Sequence, residues 1–223
     1  MKFIKPTLIT IIAPTCSGKS VLLNALVENY NFSRIVSTTT RAKRANETEG
    51  IDYFFISEEA SIELEKQNNF VELVEFGGAR YGVTKNEMLQ KLSMDKIPCI
   101  IIEPFGIEQY EKFCLNSGVE LFKIFVQTLE STRIARLNTR THDDIQAAQS
   151  KNYYKIIETH TNRLKSIMGE ERRWRDISTW DAMVSGGDDD DSIGISTAKA
   201  IADIEIAINY RNKRYAKAAQ RML

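Results

Sequence analysis

A short loop near the amino terminus carries the residue types that bind a polyphosphate. From position 13 to position 20 the chain reads Ala-Pro-Thr-Cys-Ser-Gly-Lys-Ser, after an apolar run and before a helical pattern. This layout predicts backbone N–H groups that face the phosphates, the charge of Lys19 on the terminal phosphates, and the hydroxyl of Ser20 on Mg²⁺. We interpret the loop as a nucleoside triphosphate site whose residues are Ala13, Pro14, Thr15, Cys16, Ser17, Gly18, Lys19 and Ser20.

A second group of residues suits a phosphate with an adjacent base. Arg41 and Arg44 lie three positions apart, and Tyr53 and Tyr81 follow them. Arginine offers a planar fork that matches a phosphate, and tyrosine adds a hydroxyl donor. Glu72 offers a carboxylate that accepts from two adjacent N–H donors, which is what the N1–H and N2 amino groups of guanine present.

Five motifs in this order resemble the guanylate kinase family of P-loop nucleoside monophosphate kinases, in a somewhat divergent form. They are A-P-T-C-S-G-K-S, S-T-T-T-R-A-K-R, E-G-I-D-Y, F-V-E-L-V-E-F and Y-G-V-T. The resemblance covers residues 8–140 and extends more weakly to about 185. It implies that the acceptor monophosphate is held by Arg41, Arg44, Tyr53 and Tyr81. It also implies that Ser37 and Glu72 contact the guanine and that Glu103 lies near the metal and the phosphates.

The resemblance further implies a helical lid whose arginines close over the triphosphate. The matching positions are Arg136, Arg140 and Arg163, which join Lys19 as the expected catalytic residues. Arg136 and Arg140 are four apart, so one helix face presents both. Phosphoryl transfer needs such groups to neutralise spreading charge, and a closed lid excludes water from the reaction.

Four positions depart from the family pattern, and one of them, Ile101, lies near a position where the family tends to carry an acid. Ala13 and Cys16 stand where the family loop has glycines, and a positive φ at Cys16 would carry a cost of order 1 kcal/mol. Val83 stands where the family has a serine or threonine that donates to the base, and valine has no donor. Thr84 and Ser37 are the hydroxyls that could replace it.

The order of elements predicts an α/β fold. Strand-like apolar runs lie at 8–12, 34–38, 71–76, 98–102 and 121–126, and helical patterns lie at about 20–30, 58–68, 85–94 and 106–116. Alternating strands and helices favour a parallel sheet flanked by helices. We expect a P-loop kinase core of this kind, with an inserted mixed-β lobe that binds the nucleoside monophosphate and a helical lid.

We expect one domain over residues 1–223. Its core comprises 1–36, 85–127 and 177–223, its monophosphate-binding lobe 37–84, and its lid region 128–176. The run Asp188–Asp191 reads as a solvated loop rather than a cation site. In the tail, Ile201, Ile204 and Ile208 recur at helical spacing before a basic end.

The amino-acid composition limits the classes of binding partner that we expect for this protein. Thirty basic residues balance thirty acidic ones, so the net charge gives no reason to expect nucleic acid. No apolar run reaches the roughly 20 residues that a membrane helix needs, and no secretory signal is recognisable at the start. Three cysteines, an odd number, suit a reducing compartment, so we expect a cytoplasmic protein.

The expected activity is that of a kinase in nucleotide metabolism. ATP and Mg²⁺ would phosphorylate GMP or dGMP to GDP or dGDP; the sequence leaves the sugar and the oligomeric state open. One alternative is a ribose bisphosphate kinase of similar fold, which can share Tyr81-Gly82-Val83. Another is a non-catalytic module that binds phosphorylated peptides, but such modules lack Gly-Lys-Ser and the lid arginines. Glu72 argues against the first, and Lys19 with Arg136 argues against the second.

Overall fold

Strands and helices alternate along most of the chain. The computed structural model describes residues 1–44, 47–76, 78–147, 153–167, 174–187 and 193–220. Its elements are β1 (Thr7–Ile12), α1 (Lys19–Asn29), β2 (Phe32–Arg34), β3 (Thr38–Thr39), β4 (Phe54–Phe55), α2 (Glu58–Lys66), β5 (Phe70–Phe76), β6 (Ala79–Thr84), α3 (Lys85–Leu92), β7 (Ile97–Ile101), a 3-10 turn (Pro104–Gly106), α4 (Ile107–Ser117), β8 (Glu120–Gln127), α5 (Glu130–Ala147), α6 (Tyr153–Ile167), β9 (Ala182–Ser185) and α7 (Ile193–Gln220).

Five strands form the first sheet in the order β2-β7-β1-β8-β9. β1 lies in the middle, and all six of its residues are buried. Its sequence is nearly continuous in apolar side chains because a strand covered on both faces has no solvated side. The pair β2–β7 is parallel, with Phe32 opposite Ile97, and the pair β8–β9 is parallel, with Ile124 opposite Ala182. The predicted parallel sheet flanked by helices is confirmed.

Four strands form a second, mixed sheet in the order β4-β3-β6-β5. β3 pairs parallel with β4 and antiparallel with β6, and β6 pairs antiparallel with β5. Glu72 lies opposite Val83, and Val74 lies opposite Tyr81. Gly78, with a φ of 74°, supplies the left-handed residue just before β6 begins. The predicted mixed-β lobe is confirmed as an element of the fold.

Helices pack through apolar residues at helical spacing. The buried residues of α4 are Ile107, Tyr110 and Cys114. This helix ends at Gly118, whose φ of 65° is the left-handed conformation that terminates many helices. The isoleucines predicted for the tail, Ile201, Ile204 and Ile208, are buried on α7. In the part of the chain that the structure describes, none of the helices combines the length and apolar character that crossing a membrane requires.

The chain folds as two compact units. One comprises residues 1–2, 11–26 and 123–223, and it contains the phosphate loop, α5, α6, β9 and α7. The other comprises residues 3–10 and 27–122, and it contains the second sheet together with α2, α3 and α4. β1 contributes residues to both units. The triphosphate-type residues and the acceptor-type residues therefore belong to different units of the chain.

The strand predicted at 34–38 is wrong. β2 ends at the first of these residues and β3 begins at the last. Between them, the Ile35 N–H donates to the Cys99 carbonyl at 2.9 Å, and the Val36 N–H donates to Glu87 Oε1 at 2.9 Å. The segment is apolar because it is buried where the chain leaves one sheet for the other, and burial alone does not make a strand.

Candidate active site

The phosphate loop connects β1 to α1 and contains two residues in the left-handed region. Cys16 has a φ of 63°, and Gly18 has a φ of 85°. Lys19 is the first residue of α1, where the exposed N–H groups of a helix terminus attract anions. Its Nζ donates to the Ala13 carbonyl at 3.2 Å, so the ammonium group reaches back over the loop. The loop therefore has the form that the sequence predicts.

The two residues that replace glycines differ in their backbone cost. Positive φ occurs, among the described non-glycine residues, at Cys16, Asn31 and Asn68. Ala13 lies outside the left-handed region and is 1% exposed, so the alanine fits without backbone strain. Cys16 adopts the conformation that favours glycine, at a cost of order 1 kcal/mol. The expected strain is thus confined to one residue.

Two residues that were not among the predicted site residues, Thr128 and Gly186, pack against this loop. The Thr128 hydroxyl, just after β8, donates to the Ser17 carbonyl at 3.1 Å. The Gly186 N–H, just after β9, donates to the Gln127 carbonyl at 2.7 Å. A Cβ on Gly186 would collide with the Ser17 carbonyl and the Thr128 hydroxyl, so only glycine fits there. The strand ends of the first unit thereby fix the loop.

Two of the predicted lid arginines lie on α5 in different environments. Arg136 is half-buried, and its Nη1 donates to the Cys16 carbonyl at 3.4 Å. Its Nη2 donates to the Gly187 carbonyl at 3.4 Å. Arg140 lies one turn further along the helix and is exposed. The structure therefore brings Arg136 to the phosphate loop and leaves Arg140 accessible to a ligand.

The third predicted lid arginine lies on α6. Arg163 is half-buried there, and the last residue of the helix, Ile167, accepts at its carbonyl from Arg133 Nη2 at 3.2 Å. Arg133 is completely buried on α5, so an arginine ties α5 to α6. The sequence also offers Arg172, Arg173 and Arg175 for the role of Arg163. Arg175 is exposed, whereas Arg172 and Arg173 lie outside the described residues, as does the run 188–191 that was interpreted as a solvated loop.

The predicted phosphate cradle is assembled around Arg41 in the second unit. Its guanidinium makes two hydrogen bonds to Glu47, at 2.6 and 3.0 Å, and lies 5.6 Å from the Tyr53 ring centroid. The Tyr53 and Tyr81 rings meet edge to face with centroids 6.0 Å apart. The Arg44 N–H donates to Glu47 Oε2 at 2.8 Å, while its side chain is 67% exposed. Arg41 and Arg44 therefore contact one carboxylate, and Tyr53 and Tyr81 lie beside Arg41.

Glu47 sets the charge of this cradle and was not among the predicted site residues. Its hydrogen bonds with Arg41 raise the pKa of the guanidinium and lower the pKa of the carboxyl. Burial raises the pKa of Tyr53, which keeps its hydroxyl protonated and able to donate. Arg41 and Arg44 against one carboxylate leave a positive excess that suits a phosphate. The available signal was the acidic residue three positions after Arg44.

The predicted base-contacting carboxylate, Glu72, is half-buried on β5. Burial raises the pKa of its carboxyl; a hydrogen bond from Tyr110 lowers that pKa, and the charge of Glu103 raises it. The Tyr110 hydroxyl donates to Glu72 Oε2 at 3.0 Å. A Cβ on Gly106 would collide with Glu72 Oε1. Tyr110 on α4 and Gly106 just before α4 thus lie against the two oxygens of this carboxylate.

The residue in place of the usual hydroxyl donor does not face a ligand. Val83 is completely buried, opposite Glu72 in the second sheet. Its neighbour Thr84 caps α3, where its hydroxyl oxygen accepts from the Glu87 N–H at 3.2 Å. That hydroxyl keeps its own proton to donate elsewhere.

The other predicted site residues lie at element boundaries. Ser37 is half-buried just before β3, Glu103 is half-buried just before the 3-10 turn, and Ser20 is exposed in the first turn of α1. The described residues contain no group of three or more His, Cys, Asp and Glu side chains arranged for a metal ion. Mg²⁺ in kinases takes its ligands mainly from substrate phosphates and water, with one or two protein groups. A hydroxyl at Ser20 fits that mode of binding.

Comparison with known proteins agrees with this geometry. The family model of guanylate kinase matches residues 5–168. A guanylate kinase of Prochlorococcus marinus is 34% identical over 146 residues, covering 65% of this chain and 77% of that protein. One of Chlamydia felis is 31% identical over 189 residues, covering 75% and 90%. The crystal structure of guanylate kinase from Anaplasma phagocytophilum shares the fold, with a TM-score of 0.60 and 21% identity over 91% of this chain and 86% of that one. The chain therefore belongs to the guanylate kinase family.

Proposed function

We propose that this protein transfers the γ-phosphoryl group of ATP to GMP or dGMP, giving ADP and GDP or dGDP. The observation that carries the proposal is that one chain contains both a phosphate loop ending in Gly18-Lys19-Ser20 and a cradle of Arg41, Tyr53 and Tyr81. A loop alone indicates a nucleotide, whereas the cradle supplies a second phosphate site. The relatives named guanylate kinase support the same activity. We place it in the cytoplasm, where both nucleotides and reduced thiols occur.

We propose that residues 1–36, 85–127 and 177–223 form the kinase core, with 37–84 as the acceptor lobe and 128–176 as the lid. The second sheet and the Arg41 cradle support the lobe, because both lie within its bounds. The long helices α5 and α6 support the lid, because they carry its arginines on consecutive helices. These bounds describe where each substrate would bind along the chain.

The donor half would bind the triphosphate through the loop. Residues 13–20 supply backbone N–H groups, and Lys19 places its ammonium group on the terminal phosphates. Ser20 would hold Mg²⁺, which supplies charge neutralisation of the phosphate oxygens when it is bound. The support from Thr128 and Gly186 keeps these donors fixed, which is how such sites stabilise charge that develops during the reaction.

The acceptor half would bind the monophosphate at Arg41, Arg44, Tyr53 and Tyr81. Ser37 and Glu72 would contact the guanine, and Glu103 would lie near the metal and the phosphates. Glu47 supports this arrangement because it orients the Arg41 guanidinium with two hydrogen bonds. A pre-oriented fork loses little entropy when it binds a phosphate.

The lid arginines would stabilise the transferring group. Arg136 already contacts the loop backbone at Cys16, while Arg140 and Arg163 offer guanidinium groups on α5 and α6. In phosphoryl transfer, charge spreads over the equatorial oxygens, and arginines that meet it raise the turnover number by large factors. Lid closure would also exclude water as a competing acceptor.

A panel of acceptors tests the proposal. ATP and Mg²⁺ are supplied with each common ribo- and deoxyribonucleoside monophosphate and with a ribose bisphosphate, and ADP formation is followed. We expect turnover with GMP or dGMP and little with pyrimidine monophosphates. Absence of turnover with any purine monophosphate would overturn the proposal. Turnover with the ribose bisphosphate alone would point to the related sugar kinase, and undetectable ATP binding would point to a non-catalytic module.

A further inference from the structure

Tyr110 is a tyrosine whose hydroxyl has a single acidic neighbour on a distant strand. It lies in the first half of α4 and is completely buried. Its hydroxyl donates to Glu72 Oε2 at 3.0 Å, across 38 residues of sequence. A fully buried tyrosine normally finds a partner for its O–H group, and here that partner is the carboxylate predicted to contact the base. The hydrogen bond restrains a side chain that would otherwise sample several rotamers.

Gly106 leaves room for the other oxygen of the same carboxylate. It is buried at the end of the 3-10 turn, and a Cβ there would collide with Glu72 Oε1. Its φ of −79° is ordinary, so glycine is needed at this position for space rather than for backbone freedom. One turn of chain thus supplies a hydrogen-bond donor for Oε2 and leaves the space that Oε1 needs.

This support matters because the surroundings of Glu72 disfavour the charged form of its carboxyl. Burial and the charge of Glu103 both raise the pKa of its carboxyl, and the Tyr110 hydrogen bond counters them. A carboxylate oxygen has two acceptor positions, so Oε2 retains one after the contact with Tyr110. Because Val83 has no hydroxyl, it cannot donate a hydrogen bond that would help to recognise the base. Discrimination then depends on how firmly Glu72 is held.

We infer that Tyr110 is a positioning residue for guanine selection, acting with Gly106 by holding Glu72 in the orientation that accepts N1–H and the N2 amino group of the base. The inference rests on the proposed function. The start of α4 would then take part in selecting the acceptor nucleotide. IMP, which has N1–H but lacks the N2 amino group, is the natural comparison substrate because it offers Glu72 only one of the two donors.

The test is Tyr110→Phe, which removes the hydroxyl and keeps the ring. We expect its KM for GMP to rise about tenfold, in line with a hydrogen bond to a charged group, and its preference for GMP over IMP to fall. The KM for ATP and the kcat at saturation should stay within about twofold. Cys114→Ala is the matched control, since it loosens the same buried face of α4 without touching Glu72. It should leave the KM for GMP unchanged.

A double-variant cycle separates positioning from general destabilisation. In a Glu72→Ala background, Tyr110→Phe should cause no further rise in the KM for GMP, because its target is gone. An unchanged KM for GMP in Tyr110→Phe, an equal rise in the KM for ATP, or the same tenfold rise in the Glu72→Ala background would overturn the inference while leaving the proposed function intact. Wild-type protein that phosphorylates neither GMP nor dGMP would overturn both.

Discussion

Among single residues, Cys16 carries the clearest departure from an ordinary phosphate loop. Its φ of 63° is a conformation that a glycine adopts freely and a cysteine does not. The residue nevertheless keeps its carbonyl in contact with Arg136 Nη1, and Gly18 keeps the second left-handed position. The loop therefore retains its shape, and its cost is a local one in stability rather than a loss of phosphate ligands.

Replacing Cys16 by glycine should relieve that cost. Cys16→Ala is the matched control, because it removes the thiol and keeps the Cβ. We expect the glycine variant to exceed the alanine variant by about 1 kcal/mol in the free energy of unfolding, because only glycine is unstrained at this φ. In a chain of this size the difference corresponds to a melting temperature about 2–4 °C higher. Equal melting temperatures for the two variants would show that the position is not strained.

Glu72 gives a pH dependence whose direction follows from its surroundings. Burial raises the pKa of its carboxyl, with Tyr110 and Glu103 as the titratable groups that face it. A protonated carboxyl loses acceptor positions, so the KM for GMP should rise as the pH falls towards that raised pKa, earlier than for an ordinary glutamate. The KM for ATP should stay flat. Glu72→Gln should show a high KM for GMP without this pH step, and an identical step in that variant would contradict the assignment.

At the scale of elements, α5 combines a structural and a functional use of arginine. Arg133 is completely buried and donates to the carbonyl of Ile167 at the end of α6, whereas Arg140 is exposed two turns later on the same helix. Long apolar stems allow arginine to pack and still place a charged fork at a helix end. The helix is therefore held to its neighbour by one guanidinium and presents another for substrate.

Alanine substitutions on α5 should separate these two uses. Arg133→Ala should lower the free energy of unfolding by about 2–5 kcal/mol, as for other large buried side chains reduced to alanine. Arg140→Ala should change stability by less than about 0.5 kcal/mol and lower kcat a hundredfold or more. Urea unfolding and steady-state kinetics on both variants provide the check. A stable Arg133→Ala protein, or an Arg140→Ala protein with normal kcat, would contradict the respective role.

The elements themselves were largely predictable from periodicity. The runs at 8–12, 71–76 and 98–102 correspond to strands within one residue at each end, because continuous apolar or alternating patterns fit buried strands. The run at 34–38 failed because its burial comes from a crossing between sheets. The roles of the loop, the cradle and the lid arginines towards substrates stay predictions, which rest on the phosphate-loop motif and on the resemblance to the family.

At the scale of the whole molecule, the contacts that sequence could not reveal are those between distant segments. Tyr110 reaches Glu72 across 38 residues, and Thr128 reaches Ser17 across 111. Neither residue type indicates such a role by itself, since a buried tyrosine or a threonine after a strand has many other uses. Local patterns predict which residues contact substrate, and the three-dimensional fold is needed to identify the residues that hold them.

The two compact units should respond to different nucleotides. A ligand that binds the folded state and is present at a concentration a hundred times its Kd stabilises that state by about 2.7 kcal/mol. ATP and GMP should each raise the melting temperature when added alone. Lys19→Ala should lose the response to ATP and keep that to GMP, while Arg41→Ala should show the reverse. Loss of both responses in either variant would contradict the separate assignment of donor and acceptor residues.

Transfer of radiolabelled γ-phosphate from ATP to GMP and to dGMP tests the proposed activity, with the wild-type protein and Lys19→Ala measured under the same conditions. Lys19 lies at the helix terminus over the loop, where its charge would stabilise the transferring group. We expect labelled GDP or dGDP from the wild-type protein and a rate lower by several orders of magnitude in the variant. Absence of both labelled products from the wild-type protein would contradict the proposed activity, and an equal rate in Lys19→Ala would contradict the role of Lys19.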